Sequence, residues 1–363
     1  MDIKIKHHSR NKLLLCLLII SPFAITMLTK AICSFSNGET LTPGSARQVL
    51  YTPTGGLIVG LVGGITTYPV TNCSTSTAQT FAVPGIAVYP ISPLAFLSTA
   101  SCNKLLVADY KNSLLHIYTY NTTSNTLGTE SQTALAAPNS AGSVAVSANN
   151  ACIAVASGLV ATISTYSVNP TTCVVTAATT NLDLSSLTKG PLGRVAFSPS
   201  TAPCNFLIVN GSWTYNPSVM IPVNANGTLG TPVAVPGGNS GIPTGIAFSP
   251  NGQYVAITYL RENVIRIFQI NANCTLTLLQ TTGAGFGPGA SDIVYTPDSN
   301  CLIAAYGSNV TLYSLNGDGT IGSNQAASSA GSSIRSLAIT GTNCSDWLLA
   351  MGLDSGVKTD VIF

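Results

Sequence analysis

One short pattern of apolar and polar positions recurs along the chain. A large aliphatic residue, a small one and an aromatic or aliphatic one are followed by a Ser/Thr/Pro/Asn/Gly turn and then by a run rich in Val, Ile, Leu and Ala. The copy at Phe248 reads GIAFSPNGQYVAITY. The others are QVLYTPTGGLIVGL at Tyr51, PLAFLSTASCNKLLVADY at Phe96, SVAVSANNACIAVAS at Val146, RVAFSPSTAPCNFLIVN at Phe197, DIVYTPDSNCLIAAY at Tyr295 and SLAITGTNCSDWLLAMG at Ile339. Alternation with period two predicts strands, and the turn residues predict hairpins between them. Val49, Leu94, Val144, Val195, Ile246, Ile293 and Leu337 form a column of large residues. Leu50, Ala95, Ala145, Ala196, Ala247, Val294 and Ala338 form a mostly small column beside it. Adjacent columns lie on opposite faces of a strand, so large meets small wherever two such units pack together.

From Tyr51 to Ile339 is 288 residues in six steps of 45, 50, 51, 51, 47 and 44. A third strand, as in Val264-Ile265-Arg266-Ile267-Phe268, and a fourth Thr-rich one follow each pair, as in NANGTLGTPVAV. Four short strands in about 48 residues predict a propeller blade, and seven of them an all-β seven-bladed β-propeller. The seventh unit ends at Phe363 inside its third strand, while Ser36-Asn37-Gly38-Glu39-Thr40-Leu41-Thr42-Pro43 resembles the fourth strand at Asn226–Pro232. The N-terminal strand is therefore expected to complete the last blade and remove the open edge. The stretches GIAFSPNGQYVAITYLRENVIRIFQI and KLLVADYKNSLLHIY resemble the repeats of the YVTN and lactonase-like seven-bladed propellers, and the likeness runs over nearly the whole chain after its leader. That resemblance implies a fold and leaves the activity open, because propellers host enzymes, ligand binders and scaffolds.

The first 31 residues read as an export signal. They comprise the basic MDIKIKHHSRNK, an apolar run from Leu13 to Leu28 and small or polar residues before a cleavage site after Ala31; an uncleaved membrane anchor is the alternative. Residues 32–363 then form a single propeller domain. The full chain has 14 basic and 12 acidic residues; removing Lys4, Lys6, Arg10, Lys12, Lys30 and Asp2 leaves 9 and 11, a net charge of −2. Only 7% of the residues are charged. This balance argues against nucleic-acid binding, and against membrane association once the signal is cleaved.

Export permits disulfides. Of ten cysteines, Cys102, Cys152, Cys204, Cys301 and Cys344 fall at turns between first and second strands, and Cys73, Cys173 and Cys274 at turns between third and fourth. Both kinds of turn emerge at one end of the ring. The spacing predicts inter-blade bridges Cys73–Cys102, Cys173–Cys204 and Cys274–Cys301, with Cys33 reaching Cys344 and Cys152 left odd. A Cys152–Cys173 bridge inside one blade is the alternative. No CxxC pair exists, so no metal site or cofactor is expected.

The lone histidine after the leader, His116, lies mid-strand and is expected to be a packed or surface residue rather than a base. No GxSxG serine motif occurs. Lactonase-like relatives carry Pro-Arg-His ahead of the AFSP strand, where this chain has Pro243-Thr244-Gly245, so the resemblance transfers no catalytic residue. Asn316-Gly317-Asp318-Gly319-Thr320 reads as a hairpin turn more readily than as a calcium loop. Seven Asn-x-Ser/Thr sequons, Asn210 and Asn309 among them, would carry glycans only in a glycosylating host. The default ligand surface is the end opposite the cysteines. Its candidates are Asp109, Tyr110, Lys111, Trp213, Tyr215, Tyr259, Arg261 and Glu262, with Arg194, Asp292 and Arg335 leading into the innermost strands. The sequence implies a secreted or periplasmic binding module for a protein or carbohydrate partner. The alternatives are a divergent lactonase-like hydrolase acting in the channel and a structural surface protein.

Overall fold

The structure, a computed structural model, describes residues 35–362 apart from 37–39, 42–43, 72–73, 76, 83–91, 132–134, 177–179, 213–215, 225–226, 238–240, 283–288 and 342–346. Contacts divide the chain into Met1–Ile32 and Cys33–Phe363. The expected leader, Trp213, Tyr215, Cys33, Cys73 and Cys344 all lie outside the described residues.

Each repeat folds into one antiparallel sheet whose strands run in sequence order from the inner to the outer edge. Blade 5 shows the unit: Pro243–Phe248, Tyr254–Tyr259, Val264–Ile270 and Leu276–Thr281. Inner strands Ala46–Tyr51, Leu94–Ser98, Ala141–Val146, Leu192–Phe197, Ala290–Tyr295 and Ile334–Thr340 begin blades 1, 2, 3, 4, 6 and 7. Blade 7 has three strands from the C-terminus, the last being Gly356–Ile362. Phe35 and Ser36 pair with Ile362 and Val361, and Thr40 and Leu41 with Lys358 and Val357. The chain is thus a seven-bladed β-propeller whose N-terminal strand closes the ring.

The core is divided among seven apolar clusters, each drawn from two adjacent blades, including one in which Val49 and Leu57 of blade 1 meet Leu348 and Ala350 of blade 7. All seven large-column residues face the preceding blade: Val144 packs with blade 2 and Ile246 with blade 4. All seven small-column residues face the following one, Ala145 with blade 4 and Ala247 with blade 6. The size alternation therefore follows from how neighbouring blades interdigitate.

The cysteines correct the expected pairing. The bonds are Cys102–Cys173 and Cys204–Cys274, with Cα–Cα distances of 6.3 and 5.9 Å, and Cys301 is also disulfide-bonded. The inner turn of one blade is tied to the outer turn of the next, at separations of 71 and 70 residues. Cys73–Cys102, Cys173–Cys204, Cys274–Cys301 and the intra-blade Cys152–Cys173 do not form, since Cys102, Cys173 and Cys274 are bonded elsewhere and Cys152 is free. The cause is sheet twist: rotation from inner to outer strand swings each outer turn over the inner turn of the blade before it. Spacing alone identifies the end of the ring but carries no sign of this direction. The same relation recurs without cysteines. Asn125 lies against Gly56, Gly227 against Cys152 and Gly319 against Tyr254. Asn125, Cys173, Gly227, Cys274 and Gly319 all have left-handed backbone, with φ of 52, 58, 81, 60 and 81°. Cys152 is free and buried, as its odd number anticipated. Asn316–Thr320 is one of these outer turns, closed by Asn316 N donating to Thr320 O at 2.8 Å.

Candidate functional site

The channel wall is built from a shared irregularity. Six of the seven inner strands carry a β-bulge near their start, for instance between Ala46 and Gln48, Ala290 and Asp292, and Ile334 and Ser336. A bulge re-aims side chains. Here it turns the residue ahead of the large column toward the next blade. Gln48 exchanges two hydrogen bonds with Leu94, donating at 2.9 Å and accepting at 2.6 Å. Ser143 Oγ accepts from Val195 N at 3.1 Å, Asp292 Oδ2 from Leu337 N at 2.7 Å, and Ser336 Oγ from Val49 N at 3.3 Å. The last contact joins blade 7 to blade 1.

Blade 5 has Gly245 at this position. A Cβ there would sit 3.0 Å from both Asp292 Cα and Ile293 Cγ2, so the glycine lets blade 6 approach closely. Arg194 of blade 4 crosses this gap and pairs through Nη1 with Asp292 Oδ1, which also accepts from Ile293 N at 2.8 Å. Asp292 is fully buried. Arg194 and Asp292, expected to lead into the channel as ligand groups, are coupled to each other across three blades. Arg335 stays apart from them, half-exposed, with Nε and Nη2 both 2.8 Å from Asp354. This fork, reinforced by the charge of Arg47, holds the Asp354 carboxyl below its ordinary range against the opposing effect of burial. Arg47 stands two residues before Val49 as Arg335 stands two before Leu337. That column could have revealed it.

Asp109 is buried at the end of the second strand of blade 2. It accepts from Lys111 N and Asn112 N at 2.9 Å and from Asn112 Nδ2 at 2.7 Å. Burial raises its pKa, but hydrogen bonds from Asn112 and His116 outweigh this and hold the carboxyl below its ordinary value. Those bonds are fully available above the unfolded carboxyl pKa of about 4 and are lost as pH falls through the lower folded value. His116 lies between Glu130, 2.8 Å from Nδ1, and Asp109, 3.3 Å from Nε2. Both ring nitrogens are thus engaged by carboxylates. Sequence reasoning missed Glu130 because the outer strand that carries it has no motif of its own.

The rest of the expected face splits between support and display. Tyr110 packs over Gly158 of blade 3, and Tyr259 is fully buried beneath Arg266, whose guanidinium lies 4.3 Å from its ring centroid. Glu262 binds Arg266 Nη2. Lys111 and Arg261 are exposed. The turns between second and third strands also display aliphatic residues that were not anticipated: Val62, Leu159, Val160 and Leu260 are 48, 55, 37 and 36% exposed. Beside Val160 lies a cleft of about 400 Å³ lined by Ala136, Pro138, Asn139, Thr162, Ser164 and Asn181, all uncharged. A second cavity, of about 250 Å³, lies at the cysteine end between blades 3 and 4, against Cys152, Phe206 and Gly227. The sequon at Asn210 is closed in the folded chain, since its side chain is buried and accepts from Ser218 Oγ at 2.8 Å.

No family model matches this chain, and no curated protein does. Among solved structures it is similar to a protein of unknown function from Desulfotomaculum acetoxidans DSM 771, at 16% identity and a TM-score of 0.62, over 84% of this chain and 98% of that one. The likeness carries the fold, and both the blade pattern and this neighbour place the chain among the seven-bladed β-propellers.

Proposed function

We propose that the protein is an exported binding module that uses the end of the ring opposite the disulfides to hold an uncharged protein or carbohydrate surface. The observation that carries this reading is the display of Leu159 and Val160 at the rim of the 400 Å³ cleft, whose lining offers neutral donors and acceptors. Three carboxylates among the described residues are already paired: Asp292 with Arg194, Asp109 with its turn and His116, Asp354 with Arg335. The YVTN and lactonase-like resemblance supports the same framework, while Thr244, where those enzymes carry arginine, hydrogen-bonds among the described residues to Thr258 and Ala290. The disulfides are consistent with an oxidising compartment.

The test immobilises the exported chain and presents a glycan array and an extracellular protein fraction. L159D combined with L260D is expected to abolish retention, and V174D, at the cysteine end, to leave it unchanged. Retention that survives the first variant and disappears in the second would move the working face to the other end. Lactone turnover unaffected by L159D and L260D would replace binding with catalysis.

A further inference from the structure

Among the described residues, the apolar seam between blades 4 and 5 contains a polar group of side chains. Asn210 and Ser218 of blade 4 face Tyr259 and Arg266 of blade 5, among Ile208, Met220, Val264 and Phe268. Ser218 Oγ donates to Asn210 Oδ1 at 2.8 Å, and Ser218 and Arg266 both approach the Tyr259 phenol. Arg266 is 7% exposed and Asn210 fully buried. Arg266 gives Nη2 to Glu262, but its Nη1 has no acceptor, and neither does Asn210 Nδ2. A buried donor without a partner costs about 1–3 kcal/mol, more on a charged group. Two such donors in a seam otherwise filled with Ile, Met and Phe therefore call for an occupant.

The occupant's chemistry follows from what is free. Asn210 Oδ1 is already used by Ser218 and Glu262 Oε2 by Arg266, while the groups without a partner are two nitrogen donors and the Tyr259 hydroxyl, all able to donate to oxygen, one of them on a guanidinium edge suited to a planar pair of oxygens. Glu262, partly exposed in the turn at the loop end, marks the rim of the seam. We propose that this seam is a subsite for a small carboxylate, with Arg266 Nη1 and Asn210 Nδ2 as donors and the Tyr259 ring fixing the guanidinium from beneath. The subsite is separate from the uncharged cleft beside Val160 and needs no macromolecular partner, so its failure and that of the proposed function are distinguishable.

The test follows the thermal midpoint of the full chain in acetate, with chloride and acetamide as controls, at constant pH and ionic strength. Acetate is expected to give a saturable rise of about 2 °C that chloride and acetamide do not. N210D places a carboxylate where the free amide stands, and R266K keeps the charge but removes the guanidinium's second edge. Both are expected to abolish the saturable rise, N210D with a higher midpoint in the absence of probe. If R266K does not fold, N210D alone decides. Equal responses to acetate and acetamide, no saturable response, or an unchanged response in N210D would overturn the proposal and leave a water-filled seam.

Discussion

Two arginines that look alike in the sequence, Arg194 and Arg335, occupy opposite physical regimes. Arg194 pairs with a fully buried aspartate whose second oxygen also holds the backbone of blade 7. Removing one member of a buried pair strands the other, so D292A is expected to cost about 3–5 kcal/mol. Arg335 is half-exposed and its fork to Asp354 is solvated, so R335A is expected to cost under about 1 kcal/mol. Urea midpoints of the two variants check this, and similar losses would mean that the collar around the axis contributes little. Neither role was legible from residue type. Arginine and aspartate beside an inner strand suggest ligand chemistry, and only the bulge, together with the missing side chain at Gly245, decides that they meet each other.

At the scale of strands and turns, the sequence was most informative where one residue type recurs in one column. The large and small columns predicted both faces of all seven inner strands because interdigitation imposes size directly. The disulfides were half legible: their turns and their end of the ring followed from spacing, while partner choice depended on twist, which leaves no mark on composition. The corrected relation is itself predictive. A Cβ at Gly227 would lie 3.6 Å from Cys152 Cβ, within the usual disulfide range of about 3.5–4.5 Å. Cys173 and Cys274 already adopt left-handed backbone at the equivalent turn position. G227C is therefore expected to form a bridge to Cys152 and stabilise the chain by about 2–4 kcal/mol. Thiol counting and the denaturant midpoint check this. In the parent chain Cys152 should resist alkylating reagents until unfolding, since burial raises its pKa to about 11.

Over the whole molecule, the seams around the ring are unequal. Blades 2 and 3 are tied by Cys102–Cys173 and blades 4 and 5 by Cys204–Cys274, whereas the contacts at Gly56, Cys152 and Tyr254 leave the seams between blades 1 and 2, 3 and 4, and 5 and 6 without a bond. The seam between blades 3 and 4 also holds the 250 Å³ cavity. Hydrogen exchange is expected to be faster in Phe206–Gly211, buried throughout, than in Tyr254–Tyr259, buried in all but Tyr254, because only the latter belongs to a blade stapled to the one before it. Equal protection would mean that the apolar seams alone set local stability.

The free thiol facing a glycine thus gives the ring a clasp. A closed circle of blades has no natural place to open under load, since every seam repeats its neighbours. Here tension or heat meets links of unequal strength, and the first gap is expected between blades 3 and 4, where a missing bridge coincides with a cavity, far from the N-terminal strand that closes the circle.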